Sequence, residues 1–310
     1  MRENLKSDLS FPRLNTYSRR DALKLGIASV AGLGLAGCTL SERDESERPE
    51  MSLSSGIRPD SDEWMSVRSH FNLLPGVSYL NNSSIGVPPG VVIDAVASGY
   101  RLMSEDPIHG KHYLQDQIVE SVLPSLGRFF NASTEEITLT RNASVALHLQ
   151  AVGLELADGD EVVITTQEHP AGRKPWSFRA GRHGINIKEV FIPSPLPPDD
   201  DILQLFDQVV TPNTKAIAFC HVTRGGHLYP VKRLCEFAKS RNIISLVDGA
   251  QAVGQFKVDL HDLGCDAYSA SLHKWILAPA GTGMLYLKKA SSNRFLSSFE
   301  PESNSLLYGV

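Results

Sequence analysis

The chain has few cysteines and few aromatic residues: four cysteines, and 7% Phe, Trp and Tyr, among 310 residues. So low a cysteine content excludes a disulfide-dense scaffold. An excess of basic charge is also missing, because 30 Lys and Arg against 35 Asp and Glu give a formal net charge of −5, which does not indicate nucleic-acid binding. What is present, 42% hydrophobic and 21% charged residues, is typical of a globular protein with a full core.

The first 37 residues differ from the rest of the chain in charge and hydropathy. They carry six basic and three acidic residues, all before an uncharged run at 25–37 that is too short for a transmembrane helix. This order is typical of a secretory signal, with an amphipathic or buried N-terminal helix as the alternative. The remaining residues hold 24 basic and 32 acidic groups, a net charge of −8.

Two stretches of this segment resemble bacterial export signals. SRRDALK at 18–24 resembles the twin-arginine motif, although Ala22 stands where that motif prefers an aromatic residue. LAGC at 35–38 resembles a lipobox. The resemblance implies a signal over 1–37, lipidation of Cys38, and export by the twin-arginine route to the periplasm, with the lipid anchor as the only membrane attachment.

The rest of the chain divides into a polar tether and a globular body. Residues 38–61 contain two prolines, charges of both signs and little apolar content, and are predicted to be flexible. Residues 62–310 alternate strand and helix patterns, which predicts an α/β fold with a mostly parallel central sheet and helices on both faces. Strands are predicted at 137–140, 161–165, 185–191, 215–220 and 243–247, and helices at 91–103, 115–130 with an interruption at Pro124, 145–156, 202–209 and 231–240.

Polar residues follow several predicted strands, at the sheet edge where such folds bind ligands. Asp248 follows the strand at 243–247 and, by itself, fits a helix N-cap. Lys274, in SLHKW at 271–275, lies between aromatic and small residues, which suggests a partly desolvated amine able to form a Schiff base. Taken alone, such a lysine is more often a solvated surface residue, and His273 more often a structural histidine.

Asp248, Lys274 26 residues later and GTGMLY at 281–286 together resemble the class V aminotransferase family of pyridoxal phosphate enzymes. This family includes cysteine desulfurases, selenocysteine lyases, kynureninases and isopenicillin N epimerases. The resemblance runs from about Tyr79 to the last residue, and it implies pyridoxal 5'-phosphate as cofactor and the large domain of a fold-type I transferase. Leu272 stands where the family usually has a small residue, a departure expected to reshape the pocket beside the lysine.

The resemblance gives roles to four residues around the cofactor ring. Lys274 holds the cofactor covalently and moves protons at the substrate carbon. Asp248 pairs with the pyridine nitrogen and Gln251 reaches the ring hydroxyl. His169, beyond the strand at 161–165, stacks on the ring; the alternative is a loop histidine with no ligand. Lys274, Asp248 and His169 are therefore the predicted catalytic residues.

Phosphate contacts are implied at two places. TRNAS at 140–144 lies where a strand ends and a helix begins, and Ala143 and Ser144 match the small residue and hydroxyl residue of the family. From the residues alone, this stretch is a helix cap of the common kind. Ser271 and His273 match the family's second set of phosphate contacts.

Two further positions are predicted to contact an amino-acid substrate. The segment YLNNSSIG at 79–86 resembles the family segment that lies over the active site, so Asn82, with its neighbour Asn81, is a candidate contact or a polar turn. HVTRGG at 221–226 offers Thr223 or Arg224 where the family commonly has an Asn. We hypothesise that Arg224 holds an acidic group of the substrate; the alternative is a surface arginine in a glycine-rich loop.

Within the family, the sequence resembles the isopenicillin N epimerase-like branch most. The stretches that carry this resemblance are PP at 88–89, EHP at 168–170 and PVK at 230–232. The resemblance therefore implies an aminotransferase, epimerase or lyase acting at the α carbon of an amino acid. A C–S lyase of the cysteine desulfurase or selenocysteine lyase type, or a truncated binding homologue without activity, are the alternatives. Family members are homodimers, so a homodimer is expected.

The end of the chain is a departure from the family, because only 36 residues follow Lys274. The family has a small C-terminal domain that carries an arginine for the substrate carboxylate and, in desulfurases, the nucleophilic cysteine. This domain is expected to be missing from the chain. The chain is expected to be a fragment, a truncated gene product or an unusual short form. Cys220, Cys235 and Cys265 are expected to be buried free thiols, and no spacing of Cys and His predicts a metal site.

Overall fold

The structure is a computed structural model that describes residues 62–295, apart from the side chain of Glu63. The predicted signal and tether, with Cys38, lie outside the described residues, as do residues 296–310. No helix within 62–295 is both long and apolar enough to cross a bilayer.

One seven-stranded sheet organises the described residues. Its strands are β1 Ile137–Thr140, β2 Glu161–Thr165, β3 Asn186–Val190, β4 Thr214–Cys220, β5 Ile244–Asp248, β6 Ala267–Ser271 and β7 Gly283–Leu287. Their order is β1-β7-β6-β5-β4-β2-β3, and β7 runs antiparallel to both of its neighbours while all other pairs are parallel. The predicted mostly parallel sheet is confirmed.

The helices connect the strands or precede the sheet. The α-helices are Asp62–Ser69, Gly90–Glu105, Pro107–Gln117, Leu123–Phe130, Ala143–Gly153, Pro170–His183, Asp199–Val209, Val231–Ser240 and Leu260–Leu263. Short 3-10 turns cover Thr134–Glu136 and Lys289–Arg294. The predicted βαβ alternation is therefore present from β2 onward.

Alternate residues of the central strands enter two separate cores. Val162 and Ile164 pack on one face of the sheet with Trp176 of the helix Pro170–His183. Val163 packs on the other face with Phe206 of the helix Asp199–Val209. Since side chains of a strand point alternately to its two faces, helices cover both sides of the sheet, as the sequence predicted.

The first long helical region differs from its predicted bounds. Helical structure begins at Pro107, not at residue 115, and runs to Phe130. Pro124 does not break it, because a π-helical turn at Ile118–Val122 directly precedes the helix Leu123–Phe130. A widened turn supplies the room that a proline ring otherwise takes from the preceding carbonyl.

The helix Pro170–His183 was not predicted at all. Its buried residues are Gly172, Pro175, Trp176 and Arg179. The Arg179 guanidinium donates to the carbonyls of Ala151 and Leu154, at 2.5 and 2.6 Å, and so satisfies orphan carbonyls at the end of the helix Ala143–Gly153. This contact fixes the helix that carries the predicted phosphate-binding residues against its neighbour.

Candidate active site

A cavity of about 740 Å³ lies at the carboxyl ends of the strands, where the sequence predicted ligand binding. The residues lining it are Ser83, Ser84, Asn142, Ala143, Ser144, Leu147, Gln167, His169, Ala171, Cys220, Val222, Thr223, Arg224, Gly226, Asp248, Ala250, Gln251, Gln255, Ser271, His273, Lys274 and Trp275. All eight predicted cofactor-binding residues are among them. Residues far apart in sequence meet here because β1, β2, β4, β5 and β6 all point their carboxyl ends to the same edge.

Asp248 is the last residue of β5 and is buried. One carboxylate oxygen accepts a hydrogen bond from the Ala250 amide at 2.9 Å. Burial raises the pKa of Asp248, and the Ala250 hydrogen bond and the positive charges of Lys274 and His169 oppose that rise. Asp248 is the only acidic side chain among the described residues that line the cavity, so it is placed to hold a positive group of a ligand.

Lys274 follows β6 and is half-buried at the cavity wall. Desolvation lowers the pKa of its ammonium, and the nearby charge of Asp248 raises it in part. A lysine with a lowered pKa has a larger neutral fraction near pH 7, and only the neutral amine attacks a carbonyl. The environment therefore favours the predicted chemistry over that of a solvated surface lysine.

The two predicted phosphate-binding places are joined in the structure. The helix Ala143–Gly153 begins at Asn142, whose side chain caps the Val145 amide at 2.9 Å. The Ala143 amide donates to Ser271 Oγ at 3.0 Å, which links this helix to the end of β6. Ser144 is exposed at the same helix N-terminus, whose dipole attracts anions.

The histidines and Gln251 are each held by a specific contact. His273 Nδ1 lies 2.9 Å from the Thr282 carbonyl, which can only accept, so Nε2 is the nitrogen available to a ligand. His169 caps the helix Pro170–His183 by accepting from the Ala171 amide at 3.2 Å. Gln251 lines the cavity, but its amide already bonds to protein groups, so its contact with a ring hydroxyl stays a prediction.

The predicted substrate contacts have different positions. Arg224 is exposed, lines the cavity, and lies at the tip of the short hairpin closed by a bridge between Val222 and Leu228. Asn82 does not line the cavity, and Ser83 and Ser84 do. The role of Asn82 stays a prediction.

Leu272 and the three described cysteines are all buried. Leu272 is buried in the hydrophobic core and does not line the cavity, so its effect on the pocket beside Lys274 stays a prediction. Cys220, Cys235 and Cys265 are free and buried, as predicted. Cys220 ends β4 at the cavity wall, and burial raises its pKa well above the usual range.

One buried carboxyl next to the site was missed by sequence reasoning. Glu168 accepts hydrogen bonds from Thr165 Oγ1 at 2.6 Å and from the Cys220 amide at 3.1 Å, and Tyr229 donates to the same Thr165 hydroxyl at 3.2 Å. Burial, with a contribution from the charge of Asp248, raises the pKa of Glu168 to about 8. The EHP tripeptide marked this position in the sequence, but only as a family feature.

Comparisons with known proteins agree with this geometry. The family model "Aminotransferase class-V" matches residues 78–303. Isopenicillin N epimerase of Amycolatopsis lactamdurans is 32% identical over 227 residues, covering 72% of this chain, and cysteine desulfurase of Pectobacterium atrosepticum is 33% identical over 239 residues, also covering 72%. This chain spans 57% of the length of each.

A solved structure extends the likeness to the fold. A lysine-to-alanine mutant of C-DES, with glycine covalently linked to its PLP cofactor, superposes with a TM-score of 0.70 at 26% identity, covering 74% of this chain and 61% of that one. The sheet order, the cavity and the sequence matches agree, and the chain belongs to the class V aminotransferase family.

Proposed function

We propose that the protein binds pyridoxal 5'-phosphate in the cavity and acts at the α carbon of an amino acid. The observation that carries this proposal is the meeting of Lys274, Asp248 and the N-terminus of the helix Ala143–Gly153 in one cavity. An amine, a carboxylate and an anion-binding helix end match the aldehyde, ring nitrogen and phosphate of this cofactor. The donor set therefore fits the group.

The residues that line the cavity have different roles in this proposal. When bound, pyridoxal phosphate supplies an electron sink for deprotonation of the carbon that bears the amine. Lys274 holds the cofactor covalently and moves a proton at that carbon, and Asp248 holds the proton on the ring nitrogen. Ala143, Ser144, Ser271 and His273 bind the phosphate. His169, which lines the cavity, would orient the ring.

Titration of the purified protein with pyridoxal 5'-phosphate tests the proposal. We expect a visible absorption band that saturates at one cofactor per chain. Pyridoxine 5'-phosphate lacks the aldehyde and is the matched control, since it should occupy the site without producing the band. Absence of a saturable band would remove the proposed function.

We propose an epimerase-, transferase- or lyase-type reaction of the isopenicillin N epimerase-like branch, supported by the resemblance of residues 88–89, 168–170 and 230–232 to that branch and by 32% identity to isopenicillin N epimerase of Amycolatopsis lactamdurans. The three cysteines within residues 62–295 are buried with raised pKa values, so none of them is an accessible thiolate of the kind that a desulfurase needs. Cysteine desulfurase-type chemistry and a binding homologue remain the alternative functions. A retained visible band with no turnover of any amino acid would support the binding homologue, and sulfide release from cysteine would support the desulfurase.

We propose that Arg224 holds an acidic group of the substrate, because its exposed guanidinium lines the cavity and no salt bridge to it is found within residues 62–295. Arg224→Ala should lower kcat/KM about 10- to 100-fold, the effect of one charge-assisted hydrogen bond. Arg182→Ala is the control, since Arg182 is exposed, does not line the cavity and lies outside the predicted phosphate-binding stretches. Unchanged KM and turnover in Arg224→Ala would refute the role.

We propose a homodimer, supported by the helix Gly90–Glu105. This helix has no buried residue, and it exposes Val91, Ile93, Val96 and Tyr100. Sedimentation should give twice the chain mass of 33.9 kDa. Ile93→Glu should shift the equilibrium toward monomer, whereas Val152→Glu, which alters an apolar residue of equal 44% exposure on another helix, should not. A monomer for the unmodified protein at tens of micromolar would contradict the proposal.

We propose export by the twin-arginine route and lipidation at Cys38. Support comes from the sequence of residues 1–38 alone. The double variant Arg19→Lys, Arg20→Lys should leave the protein in the cytoplasm, as fractionation of cells would show. Arg13→Lys, a change of the same kind elsewhere in the leader, should leave export intact. Normal export of the double variant would contradict this route.

A further inference from the structure

The turn that carries Lys274 has a tightly determined backbone. It spans residues 272–282 between β6 and β7. The Ala278 amide donates to the Leu272 carbonyl at 3.1 Å and closes the first part of the turn. Leu277 is held at φ +64°, in the left-handed region that side chains with a Cβ rarely adopt. Such a conformation persists only when the surroundings fix it, so the contacts around this turn determine where Lys274 points.

One fixing contact comes from Gly86, almost 190 residues earlier in the chain. Its amide donates to the His273 carbonyl at 2.8 Å. Its α carbon lies so close to the turn that an added Cβ would be 2.0 Å from the Lys274 carbonyl oxygen and 2.8 Å from a methyl carbon of Leu277. Only glycine allows this approach without displacing the lysine backbone.

A second contact comes from Gly254, in the loop that follows Asp248. An added Cβ there would lie 2.6 Å from the Trp275 carbonyl carbon and 2.7 Å from the Ile276 amide nitrogen. Gly254 also has φ +89°, so the loop needs glycine for its own conformation. The segments of Gly86 and Gly254, more than 160 residues apart in sequence, therefore both pack against the backbone of residues 273–276.

Gln251 connects these two segments through its side chain. Its Nε2 donates to the Ser83 carbonyl at 3.0 Å, and its Oε1 accepts from Trp275 Nε1 at 2.9 Å. Ser83 belongs to the same segment as Gly86, and Trp275 to the lysine turn. These two hydrogen bonds therefore fix the segments of Gly86 and Gly254 relative to each other and to the lysine turn.

We propose that Gly86 and Gly254 are positioning residues, which fix the backbone of residues 273–276 so that the Lys274 amine is directed into the cavity beside Asp248. The inference rests on the proposed function, since it concerns the capture of pyridoxal phosphate by Lys274. Neither glycine touches the reacting atoms. Their contribution is the preorganisation of the amine, and displacement of a reacting group by about 1 Å can cost about 100-fold in rate.

Gly86→Ala and Gly90→Ala form a matched pair for the test. Neither glycine has a positive φ, and a Cβ on Gly90 meets no atom closer than 3.7 Å. In titrations with pyridoxal 5'-phosphate, Gly86→Ala should slow formation of the visible band and weaken cofactor affinity about 10- to 100-fold. Gly90→Ala should stay within about twofold of the unmodified protein on both measures, as expected for a surface change.

Gly254→Ala and Gly159→Ala form a second pair that separates contact from backbone strain. Both positions have φ above +80°, but nothing lies within 4 Å of a Cβ on Gly159. Both variants therefore lose stability from the left-handed conformation, and only Gly254→Ala should weaken cofactor capture. Hydrogen exchange in the cofactor-free protein supplies a separate measure: the Ala278 amide, which closes the turn by bonding to the Leu272 carbonyl, should exchange at least tenfold faster in Gly86→Ala and Gly254→Ala than in their controls.

The outcomes distinguish this inference from the proposed function. If the unmodified protein forms no band, the proposed function fails. If it forms the band and each variant behaves like its control, the inference is overturned and the function stands. Should Gly86→Ala and Gly254→Ala both fail to fold, exchange in the unmodified protein decides: the amides of Gly86 and Ala278, which bond to the carbonyls of His273 and Leu272, must be protected as well as those of β6, and faster exchange would overturn the proposal.

Discussion

Lys274→Ala is expected to abolish the visible absorption band completely when the protein is mixed with pyridoxal 5'-phosphate. The band requires a covalent bond between an amine and the aldehyde, and Lys274 is the lysine that lines the cavity among the described residues. Turnover of any amino-acid substrate should fall below the limit of detection, because the same amine moves the proton at the α carbon. Reduction with borohydride and mass spectrometry of peptides should find the label on Lys274 in the unmodified protein.

Two control variants test whether the loss of the absorption band is specific to the amine of Lys274. Lys257→Ala changes an exposed lysine outside the cavity lining and should retain the full band. Lys274→Arg keeps the positive charge beside Asp248 but has no amine that condenses with the aldehyde, so it should bind the cofactor without the band. A full band in Lys274→Ala, or label on another lysine, would contradict the assignment of Lys274.

The helix Pro170–His183 shows why part of the fold was not predictable. Its buried residues are spaced by three, one and three, which is the period of a helix face. They are Gly172, Pro175, Trp176 and Arg179, however, and this mixture does not form the aliphatic stripe by which a helix is recognised. Arg179 is buried only because two carbonyls of a neighbouring helix accept its hydrogen bonds, and a sequence pattern does not contain that neighbour.

The candidate site, like the fold, could be predicted from the sequence only in part. Lys274, Asp248 and His169 lie at or shortly after the ends of strands, so the rule that ligands bind beyond carboxyl ends, together with the family resemblance, predicted that they meet at one edge of the sheet. The environment of Glu168 could not be found by that rule. Its partners Thr165 and Cys220 end two different strands, and only the parallel packing of β2 and β4 brings them to one buried carboxyl.

Glu168 has a consequence for stability that depends on pH. Its Oε1 accepts both protein hydrogen bonds. Its Oε2 and the Oδ2 of Asp248 both face Gly172: a Cβ added to that glycine would lie 3.5 Å from Glu168 Oε2 and 3.9 Å from Asp248 Oδ2. A second negative charge so close to Asp248, away from water, is unfavourable. Burial and that charge raise the pKa of Glu168 from 4.5 to about 8, so the folded protein keeps its proton at neutral pH.

Glu168→Gln should therefore become more stable relative to the unmodified protein as the pH rises. Below pH 4.5 the carboxyl is protonated in both the folded and unfolded states, and it contributes no pH dependence. Between 4.5 and about 8 only the unfolded chain releases the proton, so the free energy of unfolding falls with rising pH and levels off above 8. The shift corresponds to a loss on the order of 5 kcal/mol, which the glutamine variant does not suffer.

Denaturant unfolding of the cofactor-free protein at several pH values from 4.5 to 9 measures this difference, because other titrating groups contribute equally to both proteins. Glu136→Gln is the control of opposite sign. Burial alone would raise the pKa of Glu136, but hydrogen bonds from the Lys289 amide, His261 and the Ser133 amide lower it overall. Glu136 therefore stabilises the fold above its unfolded pKa of 4.5 and loses this effect only as the pH falls below 4.5, so from pH 4.5 to 9 Glu136→Gln should be weaker than the unmodified protein by a constant amount. If the free energies of Glu168→Gln and the unmodified protein ran parallel across this range, Glu168 would be ionised in the fold, and Asp248 would not be the only buried negative charge beside Lys274.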